Sequence, residues 1–238
     1  MLFWHKWIPI ESAPMGHRVE FPSNGHTCQG YFAAPASGKG PAVVVIQEWW
    51  GLVEHIEDLV DRFAAEGFVA IAPDLYHGKT TKSPDDATKM LMELDIDRAH
   101  QEIAGAAEFL LGRPECTSQK FGVIGFCMGG ALAQYEATVN PKVGAAVSFY
   151  GGFKKVPLNW ENLNAPLLLI FGENDKGVPA SGGIELQKKL REMGKKVDAA
   201  IYASADHAFF NDTRSEVYNP DAAADAWRRT IEIFRQNL

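Results

Sequence analysis

A cysteine in a glycine-rich turn is the residue of this sequence best suited to nucleophilic chemistry. The run GFCMGG over 125–130 places Cys127 in the nucleophile-elbow pattern G-x-S-x-G, with cysteine in place of serine. The glycines allow a sharp turn from a strand into a helix, so the thiol projects above the sheet beside a helix N-terminus, whose dipole favours thiolate. The alternative is a small buried hydrophobic side chain, which is common for free cysteine. The strand–turn–helix context strengthens the catalytic interpretation.

A thiol nucleophile needs a base and an acid that orients the base, and both residue types follow predicted strands downstream. Asp175 lies in a polar loop after the strand predicted over 167–171, and His207 lies in the loop after 197–202. A neutral imidazole takes the thiol proton and returns it to a leaving group, while a carboxylate on its far nitrogen fixes the tautomer. Both residues therefore lie where a catalytic base and its partner are needed.

The order nucleophile, carboxylate, histidine predicts a triad of Cys127, Asp175 and His207. No other histidine follows Cys127 in the chain, so His207 has no competitor as the downstream base. Asp206 and Glu173 compete with Asp175 for the orienting role. Taken alone, Asp175 is also explained as a turn residue and His207 as a loop cap.

The loop QEWWG over 47–51 follows a strand predicted over 42–46 and supplies the rest of the expected site. An oxyanion hole needs two backbone N–H donors, one from the residue after the nucleophile and one from a loop in this position. Met128 and Trp49 are therefore predicted to supply them. Glu48 lies beside it, where its carboxylate could bond to the thiol. A loop-structuring role for Glu48 is equally open.

These residues require a sheet that brings the ends of several strands to one edge. Apolar runs predict strands over 18–22, 28–33, 42–46, 68–72, 121–126, 143–149, 167–171 and 197–202. Helical spacing predicts helices over 52–66, 96–111, 128–139, 183–193 and 222–236. Alternating strands and helices indicate an α/β protein with a mostly parallel sheet, helices on both faces and an N-terminal antiparallel hairpin. In such sheets the site lies at the carboxyl ends of the strands.

Composition narrows the classes of partner. The chain has 238 residues and a net charge of −7, without a Lys/Arg block, which disfavours nucleic-acid and anionic-membrane partners. Three cysteines form no disulfide framework and suit a reducing compartment, so we expect a cytoplasmic protein. Scattered histidines disfavour a metal site. We expect residues 1–14 to be an extension outside the core and residues 15–238 to form one domain, as a monomer or small homo-oligomer.

With these residues placed, the chain resembles the dienelactone hydrolase family over about residues 16–237. The resemblance rests on five motifs: Q-E-x-x-G at 47–51, P-D-L-Y at 73–76, G-x-C-x-G-G at 125–130, G-x-x-D at 172–175, and the turn at His207. It implies an α/β-hydrolase fold and a Cys127–His207–Asp175 triad without metal or organic cofactor. It also associates Glu48 with switching the cysteine between resting and activated forms.

The sequence departs from the family where well-known members carry two arginines that clamp a lactone carboxylate. The first region here reads HGK over 77–79, and the residue four after the expected catalytic histidine is Asn211. Lys79 or Arg214 could substitute, but a lysine does not reproduce the arginine fork. We therefore expect neutral esters or lactones rather than dienelactone itself. Five side chains are predicted to contact the substrate: Trp50, Tyr76, Lys79, Tyr150 and Phe209.

The function predicted from sequence is a cofactor-independent cysteine hydrolase of small esters or lactones, acting through a thiol acyl-enzyme. The alternative is a non-catalytic or redox-responsive binding protein in which Cys127 is a sensor thiol.

Overall fold

The computed structural model describes residues 16–238, in which eight strands form one sheet. The strands are β1 (His17–Ser23), β2 (His26–Ala33), β3 (Gly40–Ile46), β4 (Val69–Pro73), β5 (Cys116–Phe126), β6 (Val143–Phe149), β7 (Leu167–Gly172) and β8 (Val197–Tyr202). Their order is β1-β2-β4-β3-β5-β6-β7-β8, with β2 antiparallel to both β1 and β4 and every other pair parallel. The predicted architecture is confirmed. The expected extension over 1–14 lies outside the described residues, so the domain boundary stays a prediction.

Six helices flank the sheet in the described part of the chain. They are α1 (Glu54–Ala65), α2 (Pro84–Glu93), α3 (Ile96–Leu111), α4 (Met128–Val139), α5 (Ala180–Glu192) and α6 (Pro220–Asn237), with a 3₁₀ turn at Trp160–Asn162. Across residues 16–238, none of these helices has the length and apolar character needed to cross a membrane.

Helix α2 was missed by the sequence analysis because it has almost no apolar face. Ala87 is its one fully buried residue, so the helical period of apolar residues is absent. The helix is instead defined at its start. Ser83 accepts a hydrogen bond from the Asp86 N–H at 3.4 Å, and Pro84 occupies the first turn.

The sheet separates two hydrophobic cores. In β3, Val43 and Val45 pack in the core with α1 and α6, whereas Val44 and Ile46 pack in the core with α3 and α4. All four side chains have no exposed surface. This explains the continuous apolar run in β3, since both faces of a central parallel strand are covered.

The opening hairpin turns at the predicted place. Asn24 and Gly25 have φ values of 49° and 75°, the two consecutive positive values that a tight hairpin turn requires.

At the other side of the sheet, β3, β5, β6, β7 and β8 run parallel, so their carboxyl ends meet at one edge.

Candidate active site

Cys127 occupies a strained turn between β5 and α4. Its φ is 55° and its ψ is −115°, values that an L-residue rarely adopts. Its N–H donates to the Phe149 carbonyl at 3.0 Å, which ties the turn to the end of β6. The side chain is partly exposed, whereas Phe126 and Met128 on either side are buried. The turn therefore presents the thiol at the surface of the sheet edge.

Two glycines make this turn sterically possible. A Cβ on Gly125 would lie 2.0 Å from the Gly129 carbonyl oxygen, and a Cβ on Gly129 would lie 2.5 Å from the carbonyl oxygens of Ile46 and Gln47. These contacts involve backbone atoms that cannot rotate away. Any larger residue at either position would displace α4 from the end of the sheet and the cysteine with it.

Asp175 lies in the loop after β7 and is bonded on several sides. Its side chain is fully buried; one oxygen accepts the N–H groups of Gly177 and Val178 at 2.8 Å each, and the other accepts His207 Nδ1 at 2.6 Å. Burial raises the pKa of Asp175, but the hydrogen bonds from His207 and the two N–H groups outweigh burial and lower it. The carboxylate is therefore held in its charged form.

His207 lies in the loop after β8, between Asp175 and Cys127. Burial lowers the pKa of His207, but its hydrogen bond to Asp175 and its interaction with Cys127 outweigh burial and raise it to about 10. Since Nδ1 donates to Asp175, the Nε2 side of the ring is left for the thiol. The ring is placed to accept and stabilise a proton.

The two competing carboxylates lie elsewhere. Asp206 is exposed. Glu173 is also exposed, and its carboxylate accepts the Ser204 N–H at 3.2 Å. Among the three acidic candidates, only Asp175 bonds to the imidazole.

Glu48 is almost completely buried, with 2% of its surface exposed. Its Oε2 accepts a hydrogen bond from Asn211 Nδ2 at 3.1 Å. Asn211 Oδ1 accepts in turn from the Thr213 hydroxyl at 2.6 Å, which fixes the orientation of the side-chain amide. In the sequence, Asn211 is recognisable only as a departure from the family pattern. Because Asn211 and Glu48 are 163 positions apart in the chain, no local sequence pattern predicts their contact.

The two predicted oxyanion donors are the backbone N–H groups of Met128 and Trp49, and each is available for a different reason. Met128 is the first residue of α4, where a helical N–H has no acceptor within the helix. The Trp49 N–H donates to no other residue within 16–238. Both N–H groups come from the sheet edge that holds Cys127.

The five predicted substrate contacts divide into two groups. Tyr76 and Tyr150 lie beside the elbow and the imidazole: the Tyr76 hydroxyl bonds to Met128 Sδ at 3.2 Å, and the Tyr150 ring centroid is 4.8 Å from that of His207. Tyr150 has no exposed surface in this structure, so the prediction that it contacts the substrate is not met here. Burial and the neighbouring Cys127 raise the pKa of Tyr76.

The other three candidates are more distant. Trp50 lines a cavity of about 880 Å³ beside Asn211. Lys79 is exposed and lines a separate cavity of about 170 Å³. Phe209 has no exposed surface and packs against Tyr150 and Tyr202 at centroid distances of 5.9 and 5.3 Å, so it supports the site from the core. Its aromatic character made it a substrate candidate, but sequence alone does not show burial.

A second histidine near the site was not identified from sequence. His55, near the start of α1, is buried and lines the same cavity as Trp50, with Nδ1 3.5 Å from Asp212 Oδ1. Arg62 also pairs with Asp212. Within 16–238, no three His, Cys, Asp or Glu side chains come together as a metal site would require.

Comparisons with known proteins show what the sequence and the fold resemble. The model of the dienelactone hydrolase family matches residues 28–238. "Protein usf" of Aquifex pyrophilus is 39% identical over 231 residues, covering 94% of this chain and all of the relative. A "Putative carboxymethylenebutenolidase" of Aquifex aeolicus is 37% identical over 234 residues, with the same coverage. The crystal structure titled "Putative Dienelactone Hydrolase" from Klebsiella pneumoniae aligns with a TM-score of 0.86 at 30% identity, covering 94% of this chain and all of that one.

The hydrogen bond from His207 to Asp175 predicts a pH response. In Asp175→Asn the charge that favours imidazolium is lost, so we expect the pKa of His207 to fall from about 10 by at least about one unit towards the ordinary value near 6.5. Titration of the His207 ring nitrogens by NMR measures this. Asp206→Asn is the matched control and should leave the titration unchanged. An unaltered pKa in Asp175→Asn would show that the carboxylate does not support the imidazolium.

Proposed function

The chain belongs to the dienelactone hydrolase family and is a hydrolase acting on ester bonds, and from that premise we propose that it cleaves small esters or lactones through a Cys127 acyl-enzyme. Cys127, His207 and Asp175 are the proposed triad. The observation that carries the proposal is the arrangement itself: a buried carboxylate bonds one imidazole nitrogen, and that imidazole interacts electrostatically with a thiol held at a strained elbow.

The first half of the proposed cycle forms the acyl-enzyme. His207 Nε2 takes the proton from the Cys127 thiol, and the thiolate sulfur attacks the carbonyl carbon of the ester. The carbonyl electrons move onto oxygen, which accepts the N–H groups of Met128 and Trp49. When the tetrahedral intermediate collapses, the C–O bond to the alcohol breaks and His207 returns its proton to the departing alkoxide.

The second half releases the acid. His207 removes a proton from water, and the hydroxide attacks the thioester carbon. The same two N–H groups hold the second oxyanion. Collapse breaks the C–S bond, and the proton on His207 returns to sulfur, so the free thiol and a carboxylic acid result. Asp175 stabilises the imidazolium in both halves without accepting the proton.

We assign Glu48 the role that the family resemblance gives it, in controlling the state of the thiol. Its buried carboxylate lies on the loop that also carries Trp49, and Asn211 holds it in place. A buried negative charge on this loop would repel the negative charge that develops on the sulfur during attack. Substrate would then have to offset this effect before attack.

We also propose a cytoplasmic location. All three cysteines, Cys28, Cys116 and Cys127, are unpaired in the structure. A reducing compartment keeps a nucleophilic thiol in its active form. A monomer or small homo-oligomer remains the expected state.

Loss of the nucleophile tests the proposal directly. Cys127→Ala and His207→Ala should each reduce kcat/KM on a panel of nitrophenyl esters and simple lactones on the order of 10³-fold or more, because triad members act as a unit. Cys116→Ala is the matched control, since that thiol is also partly buried but bonds to the Ser118 carbonyl away from the site. Near-normal turnover in Cys127→Ala would exclude the mechanism.

Pre-steady-state kinetics separates an enzyme from a reactive thiol. With an activated ester, we expect a burst of nitrophenolate equivalent to the active sites, followed by steady hydrolysis. A burst without further turnover would instead support a sensor or binding protein that uses Cys127 as a reactive group.

The charge around the site predicts the kind of acyl group. Three basic side chains line the cavity beside Trp50: Arg18, Lys82 and Arg214. Two of them are already partly neutralised, because Arg18 is paired with Glu57 and Arg214 Nε lies 2.9 Å from Glu216. We expect kcat/KM for nitrophenyl butyrate to exceed that for nitrophenyl hemisuccinate about tenfold or more, because the added carboxylate meets Glu48 and an acidic protein.

A preference for the hemisuccinate would contradict this expectation. Lys79→Gln, Lys82→Gln and Arg214→Gln would then identify which cation binds the carboxylate, by the variant in which the preference disappears.

A further inference from the structure

Unpartnered polar groups are concentrated near the proposed site. Within residues 16–238, the buried side-chain nitrogen and oxygen atoms that lack a hydrogen bond belong to Gln47, His55 and Tyr150. Gln47 and His55 flank the loop after β3, and Tyr150 follows β6. In native proteins nearly all buried polar groups form hydrogen bonds, so each exception needs an explanation. Tyr150 is the exception that lies directly against the proposed triad.

Two features of Tyr150 are unfavourable for the stability of the folded state. Its hydroxyl is fully buried without a partner, and its φ of 39° lies in the left-handed region that non-glycine residues avoid. A phenylalanine would fill the same space without an unpartnered hydroxyl. The folded state therefore tolerates a hydroxyl that contributes nothing to its stability.

The backbone places Tyr150 beside the nucleophile. The Cys127 N–H donates to the carbonyl of Phe149, the residue before Tyr150, at 3.0 Å. The Tyr150 N–H donates to Ile170 at 2.6 Å, which anchors the turn to β7. Its ring then lies 4.8 Å from that of His207. The side chain is thus fixed from two neighbouring strands and faces the triad.

The charged groups around the hydroxyl are those of the site. Glu48, Cys127, Arg214 and Asp175 are the groups whose charges act on the pKa of this hydroxyl. Burial, and then the negative charge of Glu48, raise the pKa of Tyr150 well above its usual range. The phenol therefore keeps its proton at neutral pH and can act only as a hydrogen-bond donor toward an anion.

We propose that Tyr150 is a further catalytic residue, whose hydroxyl donates a hydrogen bond to the Cys127 thiolate when His207 removes the thiol proton. The tyrosine proton stays on its oxygen throughout; the proton that moves is the one passing from sulfur to His207. The inference rests on the proposed function only in taking Cys127 as the nucleophile.

The donor is selective for the charged form of sulfur. A neutral thiol is a weak acceptor, whereas a thiolate is a strong one. An interaction that strengthens only as charge develops lowers the barrier to attack rather than stabilising the resting site.

Glu48 is a less suitable acceptor than the Cys127 thiolate for a hydrogen bond from the Tyr150 hydroxyl. Its carboxylate is an acceptor in the resting structure and already bonds to Asn211, yet the Tyr150 hydroxyl does not bond to it. A donor that served Glu48 would be paired before any reaction began.

The test measures how Cys127 reacts with iodoacetamide across pH, a reaction that needs no turnover. In Tyr150→Phe we expect the midpoint of the rate–pH curve to move up by about one unit and esterase kcat/KM to fall about tenfold. The melting temperature should stay equal or rise, because an unpartnered hydroxyl is removed. Incorporating difluorotyrosine at position 150 strengthens the donor and should move the midpoint down.

The matched control is Tyr202→Phe. That hydroxyl bonds to Asp225 Oδ2 at 2.9 Å, so its loss should lower the melting temperature and leave the alkylation curve unchanged. An unchanged midpoint in Tyr150→Phe, or a fall in its melting temperature like that of Tyr202→Phe, would overturn the proposal and give Tyr150 a packing role.

A double variant identifies the recipient. If the hydroxyl acts on sulfur, the shift caused by Tyr150→Phe persists in a Glu48→Gln background; if it acts on Glu48, the shift disappears and the proposal is wrong. The proposed function fails separately, through turnover that survives Cys127→Ala, so the two failures are distinguishable.

Discussion

The close approach of Gly125 to Gly129 across the turn at Cys127 is the constraint on which the site depends. No Cβ fits between these two backbones, and none fits between Gly129 and the end of β3. The sheet and α4 can therefore meet only through glycine, and the residue between them takes a φ of 55°. Strain of this kind persists where the surrounding structure fixes it, and here the hydrogen bond from Cys127 to Phe149 does so.

The same edge holds two buried carboxylates in different surroundings. Asp175 receives hydrogen bonds from two backbone N–H groups and from His207, so its charged form is stabilised on both oxygens. Glu48 is bonded by Asn211 alone among described side chains. Acidic groups placed in unlike environments take unlike roles. In our account Asp175 supports the imidazolium, while Glu48 acts on the state of the thiol.

The fold was readable from the sequence because its signals are local. Continuous apolar runs such as that of β3 mark central parallel strands, and the Asn24-Gly25 pair marks a hairpin. Helix α2 was missed because its residues are polar and one side chain alone is fully buried. Its signature was Ser83 followed by Pro84, a capping signal without an apolar stripe to support it.

The sequence predicted only those features of the site that follow from the order of the strands. Residues that follow parallel strands meet at one edge, so the proximity of Cys127, Asp175 and His207 follows from their order. Side-chain burial does not follow from order, which is why Phe209 was expected at the substrate and lies in the core. The bond between Asn211 and Glu48 joins distant parts of the chain and was likewise not predictable. The catalytic roles themselves rest on the proposal.

The central claim is that Cys127 carries the acyl group, and mass spectrometry of the quenched reaction tests it most directly. The protein is mixed with nitrophenyl butyrate and acid-quenched within the burst, and the intact mass and the peptide containing Cys127 are measured. Our account predicts one butyryl group per chain, on Cys127, removable by neutral hydroxylamine as a thioester is. A butyryl group on another residue, or a full burst without any acyl adduct, would contradict it.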